Sequence, residues 1–421
     1  MAQYEIPYGH TKLTFDLPSE LQVDWIEPAY ISPAPDPLQV VRQALAQPID
    51  NKPLSTFKNI KSAAVAVNDK TRPVPHEYLL PPLLDEIRSI GVPDEAVRIL
   101  IATGTHLPMP ESEFGAILPL DVIRRYKVIS HNCDDSENLV FKGSTTRKTP
   151  VWVNRQFAEA DLRIVVGNIE PHHFAGFSGG AKTAAIGLTG RSTINANHSL
   201  LIEPGSRIAE YSQNPLRQDI EEIGDIIGVQ FALNAVLNGE KKIVRAVSGS
   251  PRMVMQSGIP ISQELCQIEK NGNYDIVIAS VGGFPKDINF YQSQKALSHA
   301  SLFTRDGGVI ILAAACSEGI GSAAYERFME GLSTPGQVFE KFSQEGFNVG
   351  PHKAFQVARD AARVHIILVS EIRPERISSL LMTPASAIDE AVHLALQRVH
   401  SSVDKKVRVA VLPRATNTIP V

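Results

Sequence analysis

Leu162-Arg-Ile-Val-Val-Gly-Asn-Ile-Glu-Pro-His-His-Phe-Ala-Gly-Phe-Ser-Gly-Gly-Ala-Lys182 joins a short apolar run to a polar loop rich in glycine. An apolar run of this length, with no polar alternation, reads as a strand buried on both faces of a parallel sheet. In such sheets the loops after the carboxyl ends of strands carry function. The same pairing recurs outward from this stretch. AAVAV is followed by NDKTRP, RILIAT by GTHLP, and DIVIAS by VGGFPKDINFYQSQK. Strands are predicted at 62–67, 97–103, 126–130, 162–167, 274–280, 308–314 and 364–369. Helical periodicity falls at 38–46, 81–90, 191–199, 289–299 and 388–399. Alternation of this kind predicts an α/β fold. A hairpin with Gly9 in its turn is predicted from 3–8 and 11–16.

Polar turn residues at 268–274 mark a domain boundary. The expected organisation is two α/β domains with mostly parallel sheets and the active site in the interdomain cleft. An N-terminal domain over 1–270 carries the glycine-rich loop, and a C-terminal domain covers 271–405. The strand-like end, 406–421, is expected to return to the first domain.

The chain has 421 residues, 41 basic and 45 acidic, for a net charge of −4. No basic excess points to nucleic acid, and aromatics at 6% are too sparse for base-stacking platforms. The three cysteines, Cys133, Cys266 and Cys316, are widely spaced and read as free thiols in a reducing compartment. The N-terminal MAQYEIPYGHTKLTFDLP has no apolar core of a secretory signal. The apolar runs fall far short of the roughly 20 residues that span a bilayer. The expectation is a soluble, cytoplasmic protein without a membrane or nucleic-acid partner.

Gly176, Gly179 and Gly180 let the backbone approach a ligand closely. A helix starting after them would offer its N–H groups to an anion. The loop is no P-loop, because Ala181 separates glycine from lysine. Lys182 reads equally as a phosphate contact, a covalent attachment point or a surface lysine. His172 and His173 are adjacent, so in an extended loop one of them at most faces the site. His106 and His172 sit in strand-end loops, where an imidazole exchanges a proton at neutral pH. His198, in a helical stretch, reads as a metal ligand or a surface histidine. Asp69 and Arg72 read as a carboxylate clamp, or as a capping Asp beside a solvated Arg. Tyr291 and Lys295 share a helical face with Gln292 beside them, facing a substrate or simply solvent.

NDKTRP, GTHLP, EPHHFAGFSGGAK, NANHS and YQSQK, in that order, resemble the nickel-pincer-dependent lactate racemase family over nearly the whole chain. The resemblance implies nickel and a pyridinium-3,5-bisthiocarboxylic acid mononucleotide, held covalently on Lys182 through a thioacyl link. It implies that His198 is the protein ligand to nickel, the other donors coming from the cofactor. His106 and His172 match the acid/base pair, and Arg72 a residue orienting substrate or histidine, with Asp69 in support. Tyr291, Gln292 and Lys295 match groups facing the substrate. Gly176, Ser178, Gly179 and Gly180 belong to the cofactor loop.

The implied reaction is racemisation or epimerisation of a small 2-hydroxy acid by hydride transfer, with the two histidines moving the hydroxyl proton. Accessory enzymes that make the cofactor are implied partners. One departure stands out: Phe355 occupies the place of a substrate-pocket Trp in the lactate pattern, which leaves the identity of the hydroxy acid open. The alternatives are a cofactor-free sugar-acid dehydratase or metal-dependent hydrolase on the same scaffold, and a non-catalytic ligand-binding protein.

Overall fold

Three apolar runs, far apart in sequence, lie side by side in one sheet, and that adjacency gathers the polar motifs. The computed structural model describes residues 2–28, 30–270, 272–400 and 406–420. The chain forms two compact units, one of residues 30–265 and one of 1–29 with 266–421. Residues 401–405, at the end of the predicted C-terminal domain, and Asn271, at its start, lie outside the described residues.

The unit of 30–265 is built on a six-stranded sheet. Its order is Ile243–Gly249, Phe231–Leu237, Leu162–Asn168, Ala63–Asn68, Val97–Ala102, Lys127–Ser130. Only the Ile243–Gly249 and Phe231–Leu237 pair is antiparallel. Every residue of Ala63–Asn68 is buried, as expected of a central strand covered on both faces. Leu162–Asn168, Ala63–Asn68 and Val97–Ala102 are neighbours and parallel. Adjacent strands lie about 4.8 Å apart, so their three following loops emerge together.

The helix predicted at 81–90 begins earlier, at His76, with Pro81 and Pro82 inside it. Pro75 stands at its N-cap, and no side-chain hydrogen bond closes that end. The helix at Arg191–Ser199 is as predicted. The strands Phe231–Leu237 and Ile243–Gly249 and the helices Pro215–Ile227 and Pro251–Cys266 have no counterpart in the sequence reading.

The second unit carries a six-stranded, all-parallel sheet. Its order is Thr383–Ala385, His365–Val369, Thr304–Ala313, Tyr274–Ser280, Arg408–Leu412, Gln22–Trp25. The hairpin Ala2–Tyr8 and Thr11–Leu17 belongs to this unit too, with Gly9 at φ +52° in its turn. The terminal strand therefore differs from expectation. Arg408–Leu412 pairs with Tyr274–Ser280 and Gln22–Trp25, and does not return to the first sheet. Asp275 fixes it there: its Oδ2 accepts the Arg408 backbone N–H at 2.8 Å while Oδ1 accepts from Arg305 Nε at 2.6 Å. Among the described residues, no helix is long and apolar enough to cross a membrane.

Candidate active site

The loop after Leu162–Asn168 makes a small antiparallel ladder, Pro171–His172 against Gly176–Phe177. Gly176 has φ +72°, and a Cβ there would overlap the carbonyl oxygen of Glu210, so no other residue fits. The chain then delivers Lys182 to a one-turn helix, Lys182–Ala185. That helix is a single turn, and Asn234 Oδ1 accepts the Gly180 N–H at 2.8 Å, so this N–H is not open to an anion.

Lys182 is 7% exposed, which removes the surface-lysine reading. Its amine makes no hydrogen bond or ion pair with the described residues. Burial pushes its pKa well below the usual lysine value, and the charges of Arg72 and Arg217 push it further, against Glu170 and Asp69. It lines a cavity with Asn68, Asp69, Arg72, Ser178 and Gly179. The Arg72 guanidinium is likewise without a hydrogen bond or ion pair among the described residues, so it is available to a carboxylate.

Asp69 both caps and orients. Its Oδ1 accepts the Thr71 hydroxyl at 2.6 Å and the Thr71 N–H at 3.2 Å. Its Oδ2 lies 2.7 Å from His106 Nδ1. Burial raises the Asp69 pKa, but the hydrogen bonds from His106 and Thr71 and the charge of Arg72 outweigh it and hold the carboxyl below its usual range. The carboxylate therefore accepts, and His106 Nδ1–H donates. That assigns the unprotonated position to Nε2. The His106 side chain is 46% exposed.

The adjacent histidines do not point apart. The turn stacks the His172 and His173 rings at 4.5 Å, 15° from parallel. Phe174 sets its edge against three imidazoles: His172 at 4.7 Å, His173 at 4.6 Å and His198 at 5.1 Å. His172 Nδ1 accepts the Ala175 N–H at 3.2 Å, so the neutral ring carries its proton on Nε2. Burial, then Lys182, His173 and Arg72, drive its pKa well below 6.5. His198 lies in the last turn of Arg191–Ser199, half-buried, with Nδ1 3.0 Å from Asn197 Oδ1.

Asp69, Arg72, His106, His172, Gly176, Ser178, Gly179, Gly180, Lys182 and His198 all belong to the 30–265 unit. Tyr291, Gln292, Lys295 and Phe355 belong to the other. There, Gln292 and Lys295 are exposed, with Lys295 Nζ donating to Gln292 Oε1 at 3.1 Å. Burial pushes the Tyr291 phenol up to about 12. Its ring is covered by the ammonium of Lys353, 4.0 Å from the ring centre. Phe355, expected in a substrate pocket, is half-buried, with its ring 5.3 Å from Phe339 and 5.0 Å from Phe342 where the helices Pro335–Glu345 and Pro351–Ala361 pack.

The donor set fits a group that brings most of its own metal ligands. No cluster of three or more His, Cys, Asp or Glu side chains able to hold a metal occurs among the described residues. His198 would add one imidazole. Asn168 Oδ1 and Asn234 Nδ2 are buried without partners beside the loop, and an unsatisfied buried polar atom calls for a ligand or water. Sequence reasoning missed Asn214, Arg217, Glu221 and Asn234, which hold the loop from behind. The signal was present as Asn214-Pro215, an N-cap followed by proline, and as Arg217 and Glu221 four apart.

A family model described as the lactate racemase N-terminal domain matches residues 8–209, and one described as the lactate racemase C-terminal domain matches 269–419. A lactate racemase from Thermoanaerobacterium thermosaccharolyticum is 33% identical over 428 aligned positions, covering 100% of this chain and 99% of that protein. A lactate racemase from Lactiplantibacillus plantarum is 30% identical over 90% of each chain. The lactate racemase apoprotein structure from Thermoanaerobacterium thermosaccharolyticum matches with TM-score 0.89 and 31% identity over all of both chains. A crystal structure from Thermotoga maritima, 17% identical, shares the fold with TM-score 0.68 over 93% of this chain and all of that one.

Proposed function

The chain belongs to the lactate racemase family, a family of isomerases, and from that premise we propose that it interconverts the stereoisomers of a small 2-hydroxy acid. One observation carries the reading: a buried Lys182 amine, without a hydrogen-bond partner among the described residues, shares a cavity with Arg72 and with Asp69, the carboxylate that orients His106.

Lys182 would hold the pyridinium mononucleotide, within the loop of Gly176, Ser178, Gly179 and Gly180, and His198 would add its imidazole to nickel. When bound, that group supplies the acceptor and donor for the hydride of the substrate Cα. The chain's own residues do the rest. Arg72 receives the carboxylate and fixes the substrate in one register. His106 Nε2 takes the hydroxyl proton, and the Asp69 carboxylate stabilises the imidazolium that forms. His172 presents Nε2–H, a hydrogen-bond donor for the oxygen as Cα becomes planar. The two histidines thus stand ready in complementary states, one basic and one donating. Inversion would require hydride to come back on the other face of the planar Cα, while the imidazolium returns the proton to the oxygen. Tyr291, Gln292 and Lys295 are proposed substrate contacts by resemblance. The three buried free cysteines support a cytoplasmic setting.

The test is production of the protein with nickel and the cofactor-making accessory enzymes, followed by peptide mass spectrometry and chiral chromatography of 2-hydroxy acids. A mass adduct on the Lys182 peptide with interconversion of one acid's stereoisomers is expected. An unmodified Lys182 with net conversion to a new product would replace this reading with a cofactor-free dehydratase or hydrolase. Binding without turnover would leave a ligand-binding protein.

A further inference from the structure

We propose that Arg217 is a positioning residue for Lys182: its buried guanidinium holds the turn that delivers the lysine into the cavity. Arg217 is 0% exposed, and its partner Glu221, one turn along the helix Pro215–Ile227, is 2% exposed. Nη1 donates to the Phe177 carbonyl at 2.8 Å and Nη2 to the Gly179 carbonyl at 3.1 Å. Nε and Nη2 donate to Glu221 Oε1 at 2.8 and 2.5 Å. The two carbonyls flank Ser178. Asn214 Nδ2 donates to the Phe174 carbonyl at 2.8 Å, and Asn234 Oδ1 accepts the Gly180 N–H at 2.8 Å. The loop backbone is thus held from one helix and one strand. Gly224 lets that helix lie against Ala181, the residue before the lysine, where a Cβ would collide.

A fully buried ion pair is a poor stabiliser, and apolar residues of the same volume often serve as well. What an apolar pair cannot do is span two carbonyls. Lysine could not either, because only the planar fork reaches two acceptors and a carboxylate at once. The charge has a second effect. Arg72 and Arg217 oppose a proton on Lys182, Glu170 and Asp69 favour it, and His172 stands beside it as a neutral ring. Arg217 therefore helps keep the amine unprotonated and nucleophilic, with Glu221 moderating its field.

The inference rests on Lys182 being the attachment point, yet it is tested on the protein without cofactor, so the two readings fail separately. Trace acetylation with acetic anhydride, read by peptide mass spectrometry from neutral to alkaline pH, reports the free amine at Lys182 against the exposed Lys127. In the double variant Arg217→Met with Glu221→Met, Lys182 should label roughly two- to five-fold more slowly at neutral pH, because the amine feels the lost Arg217 charge more than the lost Glu221 charge that partly offsets it. Amide exchange over residues 176–182 should quicken. Glu221→Gln keeps every guanidinium donor and removes the moderating charge, so Lys182 should label faster. Opposite signs are the signature, since a merely structural role would move both variants alike. Unchanged labelling in both folded variants, or the same direction in both, overturns the proposal. Should the double variant not fold, Glu221→Gln carries the test alone, and slower or unchanged labelling refutes it.

Discussion

Lys182 and Lys353 are both buried, at 7% and 5% exposure, and burial drives both pKa values well below the usual lysine range. Their surroundings differ. Lys353 donates to the Tyr291 backbone carbonyl and lies over the Tyr291 ring, so its amine has both a hydrogen-bond acceptor and a ring face beside it. Lys182 makes no hydrogen bond with a described residue, and its nearest strong influences are two arginines. Burial alone makes a lysine costly. Burial with nothing to donate to, in a cavity, makes it a nucleophile in waiting. The same contrast divides the two histidines proposed as the acid/base pair. His106 is half-exposed and backed by a carboxylate, while His172 is buried beside Lys182, His173 and Arg72.

The largest expected effect separates the lysines outright. Lys182→Ala should abolish racemisation and the mass adduct together, whereas Lys353→Met should keep the adduct. Intact mass spectrometry and chiral chromatography on the two variants decide it. Activity surviving in Lys182→Ala would break the comparison, and loss of the adduct in Lys353→Met would make both lysines part of one machine.

Next in size is the carboxylate behind His106. Asp69→Asn replaces an acceptor with a group that can donate to Nδ1, favouring the tautomer with the proton on Nε2. Turnover should fall about 10²- to 10⁴-fold with little change in KM. Steady-state kinetics on each stereoisomer measures it. A rise in KM with turnover intact would mean that Asp69 serves substrate binding through Arg72 and leaves the histidine alone.

The strands were legible because their apolar runs are continuous, and a sequence without alternation has few other places to go than a doubly covered sheet. Lys182, His106 and Asp69 were legible because each follows such a run. Their convergence rests on strand order, which puts Leu162–Asn168 and Val97–Ala102 on either side of Ala63–Asn68. Other features depend on partners that local pattern does not name. Arg408–Leu412 is as apolar as the rest, and the carboxylate of Asp275 draws it into the second sheet. His172 and His173 stack because Gly176 turns the chain back, which an extended-loop reading does not anticipate. Phe355 packs against Phe339 and Phe342 across a contact between two helices, a partnership that local pattern does not name. Arg217 looked like any helical arginine until its carbonyl partners were in place.

The smallest effect is on stability, and it should have opposite signs at the two lysines. At neutral pH the unfolded chain binds a proton on Lys182 that the folded chain resists. A depressed folded pKa gives stability that is full above the unfolded lysine value and is lost as pH falls below it. Lys182→Met removes that penalty and breaks no hydrogen bond. The variant should be more stable at neutral pH by about 1–3 kcal/mol, the range for relieving a buried polar group without a partner. Its advantage should shrink as pH rises toward the lysine value. Lys353→Met also relieves a buried amine, but it leaves the Tyr291 carbonyl without its donor and removes the amine from the ring face. The net change should be a loss on the order of 1 kcal/mol. Urea unfolding of both variants at neutral and alkaline pH reads the signs. A stabilised Lys353→Met would mean that its hydrogen bond is worth less than the burial it accompanies. A destabilised Lys182→Met would mean that its amine has a partner after all, and that the cavity is less ready for a ligand than its geometry says.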